Sequence, residues 1–383
     1  MSLTDLHVVH VVDNLDRGGL EHVVCDLSIE QMRRGCNVSV YCLHVPGSLA
    51  DGLAASGVRV LCGYKRRGPD PRVMLELSRL LRGTGQSLLH AHSTMPNYYA
   101  CAARLLAGLS IVVVNTRHDM GSTRPHDLRE RLYRLSVPFT RLAVMVSRGV
   151  RDHFVEAGIV PARKARVVMN GIHTDCPQSG QQSQRAAARE LLAVDAEAIV
   201  IGCVGRLVQL KNHASAVRAF ARAAATRPQL RLVLIGGGPL RMELEHLARD
   251  LGIADRVRLL GERHDIRQLL PALDLFVMPS LTEGHSIALL EAMAAGSTVI
   301  ATRVGGNSEI VAHDRTGILV PPNDDEALCQ AMLRLIDDRK LAAQLATAAR
   351  AWAVTHVSVE AMTDAYETIY AEALGLSAAP ASA

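Results

Sequence analysis

Two glutamates, Glu283 and Glu291, stand eight residues apart in the stretch S-L-T-E-G-H-S-I-A-L-L-E-A-M-A-A-G-S-T-V-I from Ser280 to Ile300. Carboxylates in such an arrangement can hold hydroxyl groups, and eight residues of helix span about 12 Å, comparable to the distance from ribose to hexose in a nucleotide sugar. One carboxylate could hold the ribose and the other the transferred sugar. The expected helix start at His285 to Ile287 offers backbone N–H groups that suit a diphosphate, with Gly284 and Ser286 in the same turn. Upstream, Arg206 and Lys211 follow a strand where a phosphate-binding loop belongs. Arg brings a planar fork and Lys a compact charge to phosphate oxygens, and Lys211 is one of only four lysines. Gly18 and Gly19 sit between the first strand and its helix, where a missing side chain lets backbone approach a phosphate. Taken one at a time, each of these features also fits an ordinary turn or a solvated charge.

Dehydrogenase and P-loop NTPase readings lose support. The triple glycine Gly236 to Gly238 follows a strand, but position 241 is Arg, so no G-x-G-x-x-G fingerprint exists, and no G-K-[ST] occurs. The eight cysteines, Cys176 among them, form no C-x-x-C pair, which marks them as reduced packing residues and argues against a structural metal site.

These residues need a scaffold that presents strand-to-helix loops. Short β-branched runs at His7 to Val12, Val38 to Leu43, Val58 to Cys62, Leu88 to Ala91, Ile111 to Asn115, Ala143 to Val146 and Arg166 to Met169 read as buried parallel strands. Helical spacing lies between them at Gly19 to Arg34, Pro71 to Arg82 and Pro96 to Gly108. The alternation resumes at Ile199 to Val204, Leu230 to Ile235, Val257 to Leu260, Leu273 to Met278, Thr298 to Ala301 and Gly317 to Val320. The chain of 383 residues, about half apolar and a fifth charged, is therefore expected to be α/β, with two doubly wound Rossmann-like domains facing a central cleft. The expected boundaries are an acceptor-side domain over 1–172, a linker and leading helix over 173–195 with Pro177 and Gly180 in its polar part, and a donor-side domain over 196–355. A C-terminal helix, 356–376, can cross back to the first domain, and a tail over 377–383 is expected to fray.

At this point the residues carry a resemblance. The run E-G-H-S-I-A-L-L-E-A-M-A-A-G with the downstream V-G-G-N-S-E-I-V resembles the nucleotide-sugar signature of the family-four retaining glycosyltransferases of GT-B fold. The likeness extends to Gly205-Arg206-Leu207 with Lys211-Asn212, to Asn170-Gly171, and to Arg17-Gly18-Gly19-Leu20-Glu21, and it covers nearly the whole chain. Two departures stand out: His285 and Ser286 lie where many relatives carry a glycine or an aromatic residue, and Asn307-Ser308 replaces a more usual apolar-Pro pair.

The resemblance implies that Arg206 and Lys211 neutralise the donor diphosphate, that Glu291 holds the ribose, and that Glu283 addresses the transferred sugar. It also implies that His118, in N-T-R-H-D after the fifth strand, meets that sugar. Neutral imidazole suits this because it offers one donor and one acceptor. His90 and His92 are expected to shape the acceptor side or the core. The resemblance further implies that the donor phosphate itself helps to take the acceptor proton, so that no separate carboxylate base is expected. The expected activity is metal-independent, retaining hexosyl transfer from a UDP- or GDP-type sugar, without cofactor, to a saccharide or lipid-linked saccharide of a cell-surface polysaccharide. Rival readings are an epimerase or hydrolase, which would turn over donor without acceptor, and a silent saccharide-binding protein.

Charge is uneven. Up to Asp175 there are 22 basic against 15 acidic residues, and beyond it 20 against 23. The basic half suits an anionic partner but lacks the dense stripe of a nucleic-acid binder. After the loop Gly121 to Pro125, a helix carrying Leu128, Leu132 and Leu135 with Arg129, Arg131 and Arg134 is expected to pack its leucines on its own domain. Attachment to an anionic membrane is the alternative. No bilayer-spanning run and no signal peptide are read at Met1 to Val12, so a cytoplasmic location is expected, at the inner face of the membrane if attachment occurs.

Overall fold

A computed structural model describes residues 6–16, 18–82, 87–108, 111–121, 128–175 and 182–376. Arg17, Cys176, the 122–125 part of the Gly121 loop, Pro177, Gly180 and the tail over 377–383 lie outside the described residues. The chain divides into two units, Met1–Gly171 with Val359–Ala383, and Ile172–Ser358.

The first unit holds β1 (His7–Val12), β2 (Asn37–Cys42), β3 (Arg59–Cys62), β4 (Ser87–His92), β5 (Val112–Arg117), β6 (Leu142–Met145) and β7 (Ala165–Val167). All pair in parallel in the order β3-β2-β1-β4-β5-β6-β7. The reversal falls between β1 and β4, where His10 stands opposite His90. Both faces are covered, one by a cluster that includes Val9, Val11, Leu77, Leu89 and Tyr99, the other in part by Val24, Val38, Val40 and Leu53. This double cover explains why the strands read as unbroken apolar runs rather than as alternation. The helix Val359–Leu374 belongs to this unit, and its Tyr366 and Tyr370 are fully buried.

The second unit holds β8 (Ile199–Val204), β9 (Leu230–Ile235), β10 (Val257–Gly261), β11 (Leu275–Met278), β12 (Thr298–Thr302) and β13 (Ile318–Val320). Their order, β10-β9-β8-β11-β12-β13, is that of a dinucleotide-binding sheet, and its reversal between β8 and β11 is where a crevice opens beyond the strand ends. Among the described residues no helix is long and apolar enough to cross a membrane.

The leucine stripe departs from expectation. In the helix Leu128–Ser136 the buried residues are Tyr133 and Ser136, while Leu128 is 64% and Leu135 69% exposed, with Leu132 exposed too. The reason lies beneath the helix. Tyr133 Oη donates to Asn115 Oδ1 at 2.7 Å, and the buried Arg117 guanidinium lies 4.7 Å from the Tyr133 ring and 4.5 Å from the Phe154 ring. That aromatic and cationic layer takes the inward face and turns the leucines out.

Candidate donor-binding site

The loops beyond the β8/β11 reversal bring Arg206, Lys211 and Glu283 into one unit. Glu283 is buried, and its Oε1 accepts from Lys211 Nζ at 2.6 Å and from Ser280 Oγ at 2.6 Å. The two loops are tied by their backbones as well, Leu281 N donating to Leu210 O at 2.8 Å. Arg206 is exposed on the β8 loop. A cation and a carboxylate thus meet at the strand ends where an anionic ligand would lie.

Glycines make this close approach possible. Gly305 has φ +44°, and a Cβ there would lie 2.0 Å from the Glu283 carbonyl oxygen; at Gly306 it would lie 1.9 Å from the Gly284 oxygen. The downstream G-G is therefore the seat of the loop that carries Glu283, fixed by Gly306 N donating to Glu283 O at 3.1 Å. Gly236 plays the same part for Arg206, since a Cβ there would lie 2.1 Å from Gly205 O. These contacts between distant loops are not evident from local sequence, although V-G-G within the downstream motif was their signal.

Helix geometry corrects one expectation. The helix runs Ile287–Ala294, with Ser286 as its cap, so Glu283 precedes it and Glu291 lies one turn inside. The pair is separated by a turn plus a turn of helix, and the 12 Å helical ruler does not apply. The capping oxygen of Ser286 faces Leu289 N at 3.5 Å, while the first N–H groups of the helix have no intrahelical acceptor. Ile287 and Glu291 are half-buried; His285 is buried, and burial lowers its imidazole pKa to about 3. The ring is thereby held neutral, with one N–H donor and one acceptor nitrogen.

In the first unit, Gly18 caps the helix Gly19–Arg33 with extended backbone, φ −161° and ψ 168°. His118 follows β5 and is half-buried. Its Nε2 lies 3.2 Å from His92 Nδ1, and burial lowers its pKa to about 4. Next to it, Arg117 pairs with Glu130 at 2.9 Å and Asp119 at 2.8 Å. This clamp, which sequence reading missed, fixes the loop bearing His118. His90 and His92 are buried core residues.

Comparison with known proteins agrees with this architecture. Residues 17–176 match the family model "Glycosyltransferase Family 4" and residues 184–352 match "Glycosyl transferases group 1". A UDP-Gal:alpha-D-GlcNAc-diphosphoundecaprenol alpha-1,3-galactosyltransferase of Escherichia coli is 28% identical over 76% of this chain and 77% of its own. A GDP-mannose-dependent alpha-(1-6)-phosphatidylinositol monomannoside mannosyltransferase of Mycobacterium tuberculosis is 30% identical over 74% of this chain and 75% of its own. The crystal structure of HepE from Anabaena, in complex with UDP and glucose, superposes with a TM-score of 0.84 at 22% identity, covering 95% of this chain and 99% of HepE. With both halves matched, its two parallel sheets and these relatives, the chain belongs to the family 4, group 1 glycosyltransferases and has the GT-B fold.

Proposed function

We propose that this glycosyltransferase moves a hexosyl unit, with retention and without a metal, from a UDP- or GDP-type sugar to a saccharide or lipid-linked saccharide during assembly of a cell-surface polysaccharide. The observation that carries the donor site is the Lys211–Glu283 pair beside the helix Ile287–Ala294, at the strand reversal of the second unit. Arg206, Lys211, Gly19 and the helix start with Gly284, His285, Ser286 and Ile287 hold the diphosphate, Gly18 letting the backbone come near. Charge that develops on the leaving nucleotide is met by fixed cations and N–H dipoles, the role a metal plays elsewhere. Glu291 holds the ribose; Glu283 and His118 address the transferred sugar. The donor phosphate assists removal of the acceptor proton.

Lipid-linked acceptors are supported by two of the relatives, whose names place their acceptors on diphosphoundecaprenol and phosphatidylinositol. The exposed leucines of Leu128–Ser136 support contact with an anionic membrane surface, where such acceptors reside.

The testing experiment is a thermal-shift series with UDP, GDP, ADP and their sugar conjugates in EDTA. A ligand bound at 100 times its Kd stabilises the folded state by about 2.7 kcal/mol. Selective stabilisation by one nucleotide family supports the site and names the base. Absence of any shift, with direct binding also absent, overturns it. The anomeric configuration of the product, read by proton NMR, decides retention.

A further inference from the structure

The strand reversal of the first unit holds a continuous chain of hydrogen-bonded side chains that ends at His118. His10 on β1 is completely buried, as is His90 on β4, and His92 on β4 is nearly so. From the helix Gly19–Arg33, Gln31 Oε1 lies 2.9 Å from His10 Nε2. His10 Nδ1 lies 3.0 Å from His92 Nε2, and His92 Nδ1 lies 3.2 Å from His118 Nε2. On its other side, Gln31 Nε2 donates to Tyr370 Oη at 3.3 Å. Tyr370 Oη lies 2.7 Å from His90 Nδ1, and His90 Nε2 lies 2.7 Å from Thr116 Oγ1. The rings of His10, His90 and His92 converge closely enough to hold an ion, yet all six of their ring nitrogens have side-chain partners. The cluster is satisfied without a metal.

A neutral imidazole has one N–H and one lone pair. Deep burial holds these rings neutral, with His10 lowered to about 4 and His90 and His92 well below the ordinary histidine value. Each link then needs one donor and one acceptor, so direction propagates. Gln31 carbonyl accepts from His10 Nε2–H, which leaves His10 Nδ1 to accept from His92 Nε2–H. His92 Nδ1 must in turn accept from His118 Nε2–H. What remains is the lone pair on His118 Nδ1, a buried atom with no hydrogen-bond partner among the described residues. The amide of Gln31 is itself oriented, because its N–H donates to Tyr370, whose own O–H is left for His90. Were that amide reversed, every link would invert and His118 would present an N–H.

We propose that Gln31, acting through His10 and His92, is a positioning residue that fixes His118 as the Nε2–H tautomer, so that a hydroxyl of the transferred sugar is met by an acceptor at Nδ1. This rests on the reading of His118 as facing that sugar.

The test uses the full chain labelled with 15N-histidine, in long-range proton–nitrogen correlation spectra at pH 7.5, with His118 assigned from the signal lost in His118→Gln. The wild type shows His118 protonated at Nε2 and bare at Nδ1. Gln31→Leu removes the terminal acceptor and yields a mixture of tautomers. Gln31→Glu, whose carboxylate can only accept, keeps the wild-type pattern. Should Gln31→Leu fail to fold, Tyr370→Phe removes only the hydroxyl that orients the amide and loosens the same pattern. A wild-type His118 protonated at Nδ1, or a folded Gln31→Leu protein with the tautomer unchanged, overturns the proposal. The underlying reading fails separately: if the tautomer is as expected but His118→Ala transfers sugar at the wild-type rate, the chain stands and the sugar contact falls.

Discussion

Lys211 Nζ donates to Glu283 Oε1 across 2.6 Å, joining the loops that follow β8 and β11. A diphosphate bound beside this pair would draw on the same ammonium, so the pair stores the charge that the proposed donor site uses. Lys211→Ala should weaken nucleotide binding roughly tenfold to a hundredfold, the scale of one charge-assisted hydrogen bond. It should lower transfer as well. Glu283→Gln keeps the shape and should spare nucleotide affinity while reducing kcat by at least about tenfold. Isothermal titration with the nucleotide, alongside steady-state rates, separates the two. Equal affinity and rate in both variants would remove the donor site.

Gly305 predicts a different failure. Its φ of +44° and the 2.0 Å approach of a Cβ to Glu283 O leave no room for alanine, and the obstacle is backbone, which cannot swing aside. Gly305→Ala should cost roughly 2 kcal/mol or more, from strain and displaced hydrogen bonding together. It should also loosen nucleotide binding, because Glu283 moves with the loop. Urea unfolding followed by titration checks both; a variant as stable as wild type would mean the loops part at low cost.

How much of this was legible in sequence follows from range. β1, β8 and β9 fall on the residues expected from their β-branched runs, because buried parallel strands have a local signature. The family signature drew attention to Glu283, Lys211 and His118 for the same reason. What they touch was not legible. Lys211 and Glu283 are 72 residues apart, and Gln31 reaches His10 only because a helix folds back over β1. The leucines of Leu128–Ser136 misled because a 3.6-residue stripe says that one face is apolar, not that it is covered. Here Tyr133, held by Asn115 and Arg117, had taken the inner side.

The buried histidines make stability depend on pH in a defined sense. Burial lowers the His10 and His118 imidazoles to about 4 in the folded chain, against about 6.5 when unfolded. Between those values the unfolded state binds more protons, so stability rises with pH through the window and is lost as pH falls from 6.5 toward 4. Each fully buried ring contributes up to about 1.4 kcal/mol per pH unit, and His90, His92 and His213 are shifted in the same direction. Urea midpoints at pH 7.5 and 5.0 should differ by the equivalent of at least about 2 kcal/mol. Equal midpoints would show that the rings charge freely in the fold.

The exposed face of Leu128–Ser136 carries the last prediction. Leu128, Leu132 and Leu135 point outward with Phe139 just beyond, and this helix lies against Thr94–Ala107, whose Leu105 and Leu106 are exposed as well. Arg129, Arg131, Arg134 and Arg141 lie exposed among them. Large apolar side chains set among arginines are the composition of an interfacial helix, which buries leucine between lipid head groups while guanidinium meets phosphate. Each basic residue near an anionic surface adds about 1 kcal/mol, and salt screens that share while leaving the apolar share. The protein should therefore sediment with phosphatidylglycerol vesicles at low salt, less so at high salt, and weakly with phosphatidylcholine. Leu132→Ser with Leu135→Ser should cut binding at least tenfold, on the order of 1.5 kcal/mol or more per leucine lost from the interface, without changing the thermal shift by nucleotide. Sedimentation of the double variant at the wild-type level would place these leucines outside any membrane contact.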